Sequence, residues 1–325
     1  MPEMTMLQAV NDALHIAMGK DDKVVVLGED IGKKGGVFGA TAGLYEKYGE
    51  MRVMDTPLSE CGILGTAAGM ALYGLRAVPE IQFLDFIFPG FDQIVSEIAK
   101  FRYRSGGEYP CPVVIRSPSG GGIKGGHYHS QSAESYFIHT PGLRVVMPST
   151  PRDAKGMLLA SIFQNDPVMF LEPKALYRHA KEDVPAGYFE TDLEKAHVVH
   201  AGEQVTLVSW GAMVHTCHDA VKTATEKGIS VELIDLRTLL PWDTATVLDS
   251  VRKTGRLVIV QEAPRTLGFA AEVSATVAEK AIDSLRAPIA RVSGFDTPFP
   301  YTLEHIYKPD RQRVVNAIEY VARYD

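Results

Sequence analysis

Glu60 stands in the run DTPLSECGILG, residues 55–65, where the order of residue types puts one carboxylate at a helix entrance. Pro57 ends the strand carrying Arg52 to Met54, Ser59 can cap the next helix, and Glu60 then falls in its first turn. Leu58, Ile63 and Leu64 offer that carboxylate little water, so its pKa is expected above the ordinary range, as proton transfer near neutral pH requires. An equally open reading is that Glu60 only favours the positive end of the helix dipole. A second group ends the glycine-rich run 117–132, SPSGGGIKGGHYHSQS. A phosphate-binding P-loop matches it poorly, because Lys124 is not followed by Ser or Thr. His127 and His129 without a third ligand make a weak metal site. A mobile loop presenting the His129 imidazole as acid or base fits better, against the plain alternative of a hydrogen-bonded loop histidine. A third group is QFLDFIFPGF, residues 82–91. Core packing accounts for most of its four rings, but Gln82 and Asp85 need polar partners, and a flat ligand is one.

The elements that position these groups alternate. Thr5 and Gln8 form a capping box ahead of Leu7, Val10, Leu14 and Ala17, which predicts an amphipathic helix. KVVVLG, residues 23–28, reads as a buried parallel strand ending at Glu29 and Asp30, where open α/β sheets bind ligands. The Glu60 helix follows, with small residues at Gly62, Gly65, Ala68, Gly69 and Ala71 that suit a closely packed partner helix. Then come a strand over 77–83, a helix through Ile94 and Ile98, strands at 112–116, 143–147 and 168–171, and a helix opened by Thr150, Pro151 and Asp153. Residues 178–195 are polar, contain Pro185 and Gly187, and are expected to be a linker. A second unit repeats strand and helix from residue 205 to residue 294. Its lone Gly211 is not the three-glycine fingerprint of a dinucleotide site.

At 325 residues the chain has room for two domains, and 46% hydrophobic with 22% charged residues is a globular composition. A formal charge of -7 without a basic block gives no attraction to nucleic acid or anionic membrane. The three cysteines are far apart and odd in number, against a disulfide framework. No apolar run spans a bilayer, and the first residues lack a signal peptide, so the expected place is a prokaryotic cytoplasm, before a mature mitochondrial matrix.

The ordered segments DTPLSE at 55–60, EIQFLDFIFPGFDQI at 80–94, YHSQS at 128–132, PGLRVVMPSTPRDAKG at 141–156, EPKALYR at 172–178 and IDLRTLLPWD at 234–243 give the chain its resemblance. It resembles the beta subunit of the thiamine-diphosphate-dependent decarboxylating component of 2-oxo acid dehydrogenase complexes over nearly its whole length. EIQF with FPGFDQI, YHSQS and EPKALYR are nearer to branched-chain members than to pyruvate members. The resemblance implies an α/β fold of two domains with mainly parallel sheets, a transketolase-like pyrimidine-binding domain over 1–185 and a C-terminal domain for assembly over 186–325. It implies that Glu60 hydrogen-bonds the aminopyrimidine of thiamine diphosphate and favours its imino form. Phe86 and Leu58 match positions beside the pyrimidine, Glu29 a carboxylate near the cofactor, Gln82 a substrate-side residue, and His129 the histidine serving acyl transfer to the lipoyl group. Phe86 replaces the tyrosine of some branched-chain relatives, which leaves substrate choice open among branched-chain 2-oxo acids, pyruvate and acetoin.

No GDG motif, the family's holder of magnesium and diphosphate, occurs in the chain. The resemblance therefore implies an alpha subunit that binds Mg2+ and the diphosphate, in an alpha2-beta2 heterotetramer, and a dihydrolipoyl acyltransferase core as further partner. It also implies a structural K+ held by backbone carbonyls near Val113, Ser161 and Asp166. A non-catalytic scaffold or nucleotide-binding protein is the competing class.

Overall fold

A computed structural model describes residues 1–324. Packing divides the chain into two units, Met1–Ser119 with Tyr136–Leu193, and Gly120–Ser135 with the chain from Glu194 onward. This differs from a division at 185/186, because residues 120–135 leave the first unit for the second and residues 186–193 stay with the first.

In the first unit the capping box forms as its residue types require. The Gln8 N–H donates to Thr5 Oγ1 (3.2 Å) and the Thr5 N–H to Gln8 Oε1 (2.9 Å), opening the helix Met6–Lys20. Val10, Leu14 and Ala17 are buried along it, and it packs on the helix Pro151–Phe163, capped by Thr150 Oγ1 with proline at its first turn. The sheet runs in the order Arg144–Val146, Val168–Pro173, Val114–Ser119, Arg76–Glu80, Val24–Gly28, Val53–Asp55, every neighbouring pair parallel. Val24, Val26 and Leu27 are fully buried, as a β-branched run between covered sheet faces should be. Register places Gly28 opposite both Asp55 and Glu80, so the segments bearing Glu29, Glu60 and Gln82 leave one sheet edge at the carboxyl ends of adjacent strands.

Two expectations give way here. The strand expected over 77–83 stops at Glu80, and 3-10 turns at Leu84–Phe86 and Phe88–Gly90 lead into a π-helical stretch, Gln93–Ile98. Leu84, Ile87, Ile94 and Ile98 still carry the segment into the core. The stretch 178–195 is not all linker, since Lys181–Asp183 pairs antiparallel with Glu3–Thr5.

In the second unit the strands Ala290–Gly294, Leu257–Pro264, Val205–Ser209 and Val231–Asp235 are parallel, and His197–His200 closes one edge antiparallel. The helices Met213–Glu226 and Arg311–Ala322 bury Cys217, Val221, Val314 and Ile318 against Leu207, Leu233 and Val260.

Candidate active site

The Glu60 helix begins as its sequence demands. Ser59 Oγ accepts the Gly62 N–H (3.3 Å), and Glu60 is the first residue of Glu60–Leu72, half-buried over the buried Ile63 and Leu64. Leu58 does not cover it from above, being 72% exposed, so this chain walls the carboxylate on one side only. The turn Phe88–Gly90 lies so close that a Cβ at Gly90 would meet Leu64 Cδ1 at 2.5 Å and Glu60 O at 3.0 Å. Glycine at 90 is therefore a condition for docking the Phe86 segment against this helix. Of the small residues along the helix, Ala67, Ala68 and Ala71 face the core, Gly65 accommodates Gln93, and Gly62 and Gly69 are exposed.

Glu29 is half-buried where the strand Val24–Gly28 ends. Partial burial first, then the negative charges of Asp30 and Glu60, push its carboxyl above the ordinary value, with Lys34 opposing. Glu29 thus carries a raised carboxyl at this strand end. Asp30 adopts a left-handed backbone (φ 60) and pairs with Lys34 Nζ at 2.7 Å. Asp55 Oδ1 accepts the Gly32 N–H at 2.6 Å and fixes the far side of the turn. Gln82 Nε2 reaches Glu29 O and Asp30 Oδ2, both at 3.4 Å, so Glu29, Glu60 and Gln82 share one neighbourhood. Phe86 is half-exposed and meets Phe83 edge-on at 5.4 Å between ring centroids; Phe83 meets Phe38 at 5.5 Å, and Phe38 meets Tyr177 at 5.3 Å.

Beneath lies a network that the sequence did not signal. Fully buried Arg116 donates to Glu172 through Nε (2.7 Å) and Nη2 (3.1 Å) and to Glu80 through Nη1 (2.8 Å), and Tyr177 donates its hydroxyl to Glu172. Burial raises the Glu80 carboxyl, and Arg116 only partly offsets it. These charges are distributed over three adjacent strands and the turn after them, so the floor under the aromatic row is held by directional bonds as well as packing.

His129 sits in the other unit, half-buried just after the 3-10 turn Gly126–Tyr128, its N–H on Gly126 O (3.3 Å). The glycine-rich loop before it is crowded by its neighbours. A Cβ at Gly126 would fall 2.4 Å from the Tyr301 ring and one at Gly125 2.5 Å from His129 Cβ. Gly120, Gly122, Gly126 and even Lys124 have positive φ, which explains the glycines by backbone conformation and crowding. At the expected K+ position, Val113 O accepts from Val168 N (2.9 Å), Ser161 Oγ donates to Met157 O (2.7 Å), and Asp166 pairs with Arg102. Arg76 Nη1 occupies the Ile162 and Gln164 carbonyls beside them (3.0 and 2.8 Å). Among the described residues no three His, Cys, Asp or Glu side chains converge as a metal site, and no helix is long and apolar enough to cross a membrane.

Two family patterns cover the chain: the transketolase pyrimidine-binding domain over residues 2–180 and the transketolase C-terminal domain over residues 194–314. The chain is 56% identical to the mitochondrial 2-oxoisovalerate dehydrogenase subunit beta of Dictyostelium discoideum, covering 98% of this chain and 86% of that one. The chain belongs to the 2-oxo acid dehydrogenase beta-subunit family. It is also similar to the 2-oxoisovalerate dehydrogenase subunit beta of Pseudomonas aeruginosa (48% identity; 98% and 95% covered). To the pyruvate dehydrogenase E1 component subunit beta of Staphylococcus epidermidis it is 49% identical (97% and 97% covered). The fold matches a solved split-gene transketolase, described as an inactive beta4 tetramer, with a TM-score of 0.81 at 22% identity, covering 99% of both chains. Beta subunits of this family are enzyme subunits, and their relatives include mitochondrial and bacterial forms.

Proposed function

We propose that this beta subunit supplies the pyrimidine-facing half of a thiamine diphosphate site in an alpha2-beta2 branched-chain 2-oxo acid dehydrogenase of a bacterial cytoplasm. The observation that carries the reading is the convergence of Glu60, Glu29 and Gln82 at the carboxyl ends of adjacent strands, with Glu60 first in its helix and Phe86 on the segment that Gly90 docks against that helix. These residues fit that half of the cofactor: a carboxylate acceptor for a ring nitrogen, a flat aromatic face, and an amide on the substrate side. Mg2+ with the diphosphate is assigned to the alpha subunit, since no GDG motif occurs in the sequence. When bound, the cofactor supplies the electron sink for loss of carbon dioxide from a 2-oxo acid.

The chain's own residues do the positioning. Glu60 would hold a proton on the aminopyrimidine and keep it in the tautomer that reaction requires. Glu29, with its raised carboxyl, stands close enough to Glu60 to resist a second negative charge nearby. Exposed Leu58, and the Phe86 ring, would complete the apolar wall once the alpha subunit is in place. His129 is assigned to acyl transfer to the lipoyl group of the acyltransferase core. A K+ ion on carbonyls around Val113, Ser161 and Asp166 stays part of the proposal, beside the helix end that Arg76 already caps.

Reconstitution with the alpha subunit tests the reading. The chain alone should not decarboxylate; with alpha, 3-methyl-2-oxobutanoate should be preferred over pyruvate. The near-equal identities to branched-chain and pyruvate relatives favour pyruvate as the second reading, and a kcat/KM in favour of pyruvate would replace the first by it. Activity of the isolated chain, or none with any alpha partner, would remove both.

A further inference from the structure

The glycine-rich loop turns its backbone N–H groups inward, where such a concave set of donors ordinarily attracts an anion. Here the anions belong to the chain. Glu262 Oε1 accepts the Gly121 N–H at 2.5 Å and the Ser132 hydroxyl at 3.3 Å. Glu304 Oε1 accepts the Gly122 N–H at 2.6 Å, and its Oε2 the Lys124 N–H at 2.9 Å. Both carboxylates are buried, Glu262 near the end of the strand Leu257–Pro264 and Glu304 at the start of the short helix Glu304–Tyr307. Lys308 Nζ, 3.4 Å from Glu304 Oε1, steadies the second. The loop is also closed on itself: the Gly120 N–H reaches Gln131 O (3.1 Å) and the Gly125 N–H reaches Ser130 Oγ (3.1 Å). Gly121 cannot carry a side chain, since a Cβ would lie 2.9 Å from Phe299 and 3.1 Å from Glu304 Oε1.

We propose that Glu262 and Glu304 are positioning residues for acyl transfer, a two-carboxylate latch that fixes residues 120–125 and thereby sets where His129 is presented. Three charge-assisted bonds to successive parts of one loop define its path more tightly than packing of glycines could. Neither carboxylate touches a reacting group; each acts through the backbone leading to the histidine. The latch also accounts for the glycines, because only residues that tolerate positive φ and close approach can aim three N–H groups at two carboxylates. The proposal rests on the reading of His129 as the acyl-transfer residue.

The test uses the reconstituted alpha2-beta2 enzyme with Glu304→Ala, Glu304→Gln, Glu262→Gln and, as reference, His129→Ala. Amide hydrogen exchange at Gly121, Gly122 and Lys124 should rise about tenfold in the Glu262 and Glu304 variants and stay unchanged in the central strand Val205–Ser209. Acylation of a free lipoyl domain should fall about tenfold, and clearly more than decarboxylation followed with an artificial electron acceptor, because misplacing a catalytic group by an ångström has costs of that order or larger. Glu304→Gln keeps one acceptor oxygen and should recover part of the loss; it also answers the question if Glu304→Ala does not fold. Unchanged exchange in the Gln variants overturns the latch. Faster exchange with equal losses in both assays, or with no loss of transfer, overturns the positioning role. If His129→Ala itself spares transfer, the functional reading of the loop fails while the exchange result still decides whether the latch exists.

Discussion

The two regions to which the proposed function assigns the chemistry are built in opposite ways. Around Glu60 the side chains are half-open, walled on one side and left without cover on the other, while the rigid part is the buried ion network of Arg116, Glu80 and Glu172. Around His129 the chain fixes the loop backbone itself: every glycine from 120 to 122 and the turn at 125–126 is crowded or bonded, and two of the partners are carboxylates of the same unit. A site finished by another polypeptide needs a stiff floor and an unoccupied face. On the proposed reading, a loop that presents one imidazole to a lipoyl group needs its own frame. The absence of GDG and the exposure of Leu58 belong to the first design, and the Glu262 and Glu304 bonds to the second.

Changes in the floor and in the open wall should differ in kind. The largest effect belongs to Glu60→Gln, which keeps the side chain's size and removes its basicity: turnover of the reconstituted enzyme should fall by roughly 10²- to 10⁴-fold, with the melting temperature nearly unchanged. Arg116→Ala should do the reverse of this in character. It strands Glu80 and Glu172 as buried carboxylates without their cation, and a loss of about 3–5 kcal/mol in denaturant unfolding is expected. A loss under about 1 kcal/mol would show that the floor is held by packing alone.

Glu134 gives a pH test of the second region. Burial is the main cause pushing its carboxyl up to about 7; its own N–H and Trp210 Nε1, 3.3 Å away, pull it down, and Glu262 adds repulsion. The unfolded carboxyl ionises near 4.5 and the folded one near 7, so the unfolded state holds fewer protons in between and stability from this group declines as pH rises through that window. Glu134→Gln removes the decline. Its stability relative to the wild type should climb by up to about 3 kcal/mol between pH 4.5 and pH 7 and then level off. A difference that does not vary with pH would sink this account of the buried carboxyl.

The smallest effect is expected at Gln82. Its two bonds to the Glu29 turn are long, 3.4 Å each, and Gln82→Ala should raise KM for the 2-oxo acid several-fold, a change of about 1 kcal/mol, with little loss of kcat. An equal fall in kcat would move Gln82 from the substrate side to the proton-handling group.

Much of the frame was legible because it depends on local chemistry. The Thr5–Gln8 box, the Ser59 and Thr150 caps and the β-branched strands each announce themselves within a few residues. The strand expected over 77–83 ends early, at Glu80, because the path beyond it is set by the close fit of Gly90 on the Glu60 helix, which only the fold reveals. The strand Lys181–Asp183 exists through its pairing with Glu3–Thr5, a partner far away in sequence. Glu262 and Glu304 escaped notice for another reason: their partners are backbone N–H groups, which leave no residue type to read. The raised carboxyl at Glu29 depends first on partial burial and then on the charges of Asp30 and Glu60, gathered from two strand ends by register.

The central claim is that Glu60 controls the proton of a cofactor ring whose charged tail is held by the alpha subunit. Hydrogen–deuterium exchange at the reactive ring carbon of thiamine diphosphate, measured in the reconstituted tetramer by quench and NMR, addresses it without the substrate or lipoyl steps. The account predicts fast exchange in the wild type and a fall of roughly 10²-fold or more with Glu60→Gln, the cofactor remaining bound. Exchange equally fast in that variant would contradict it.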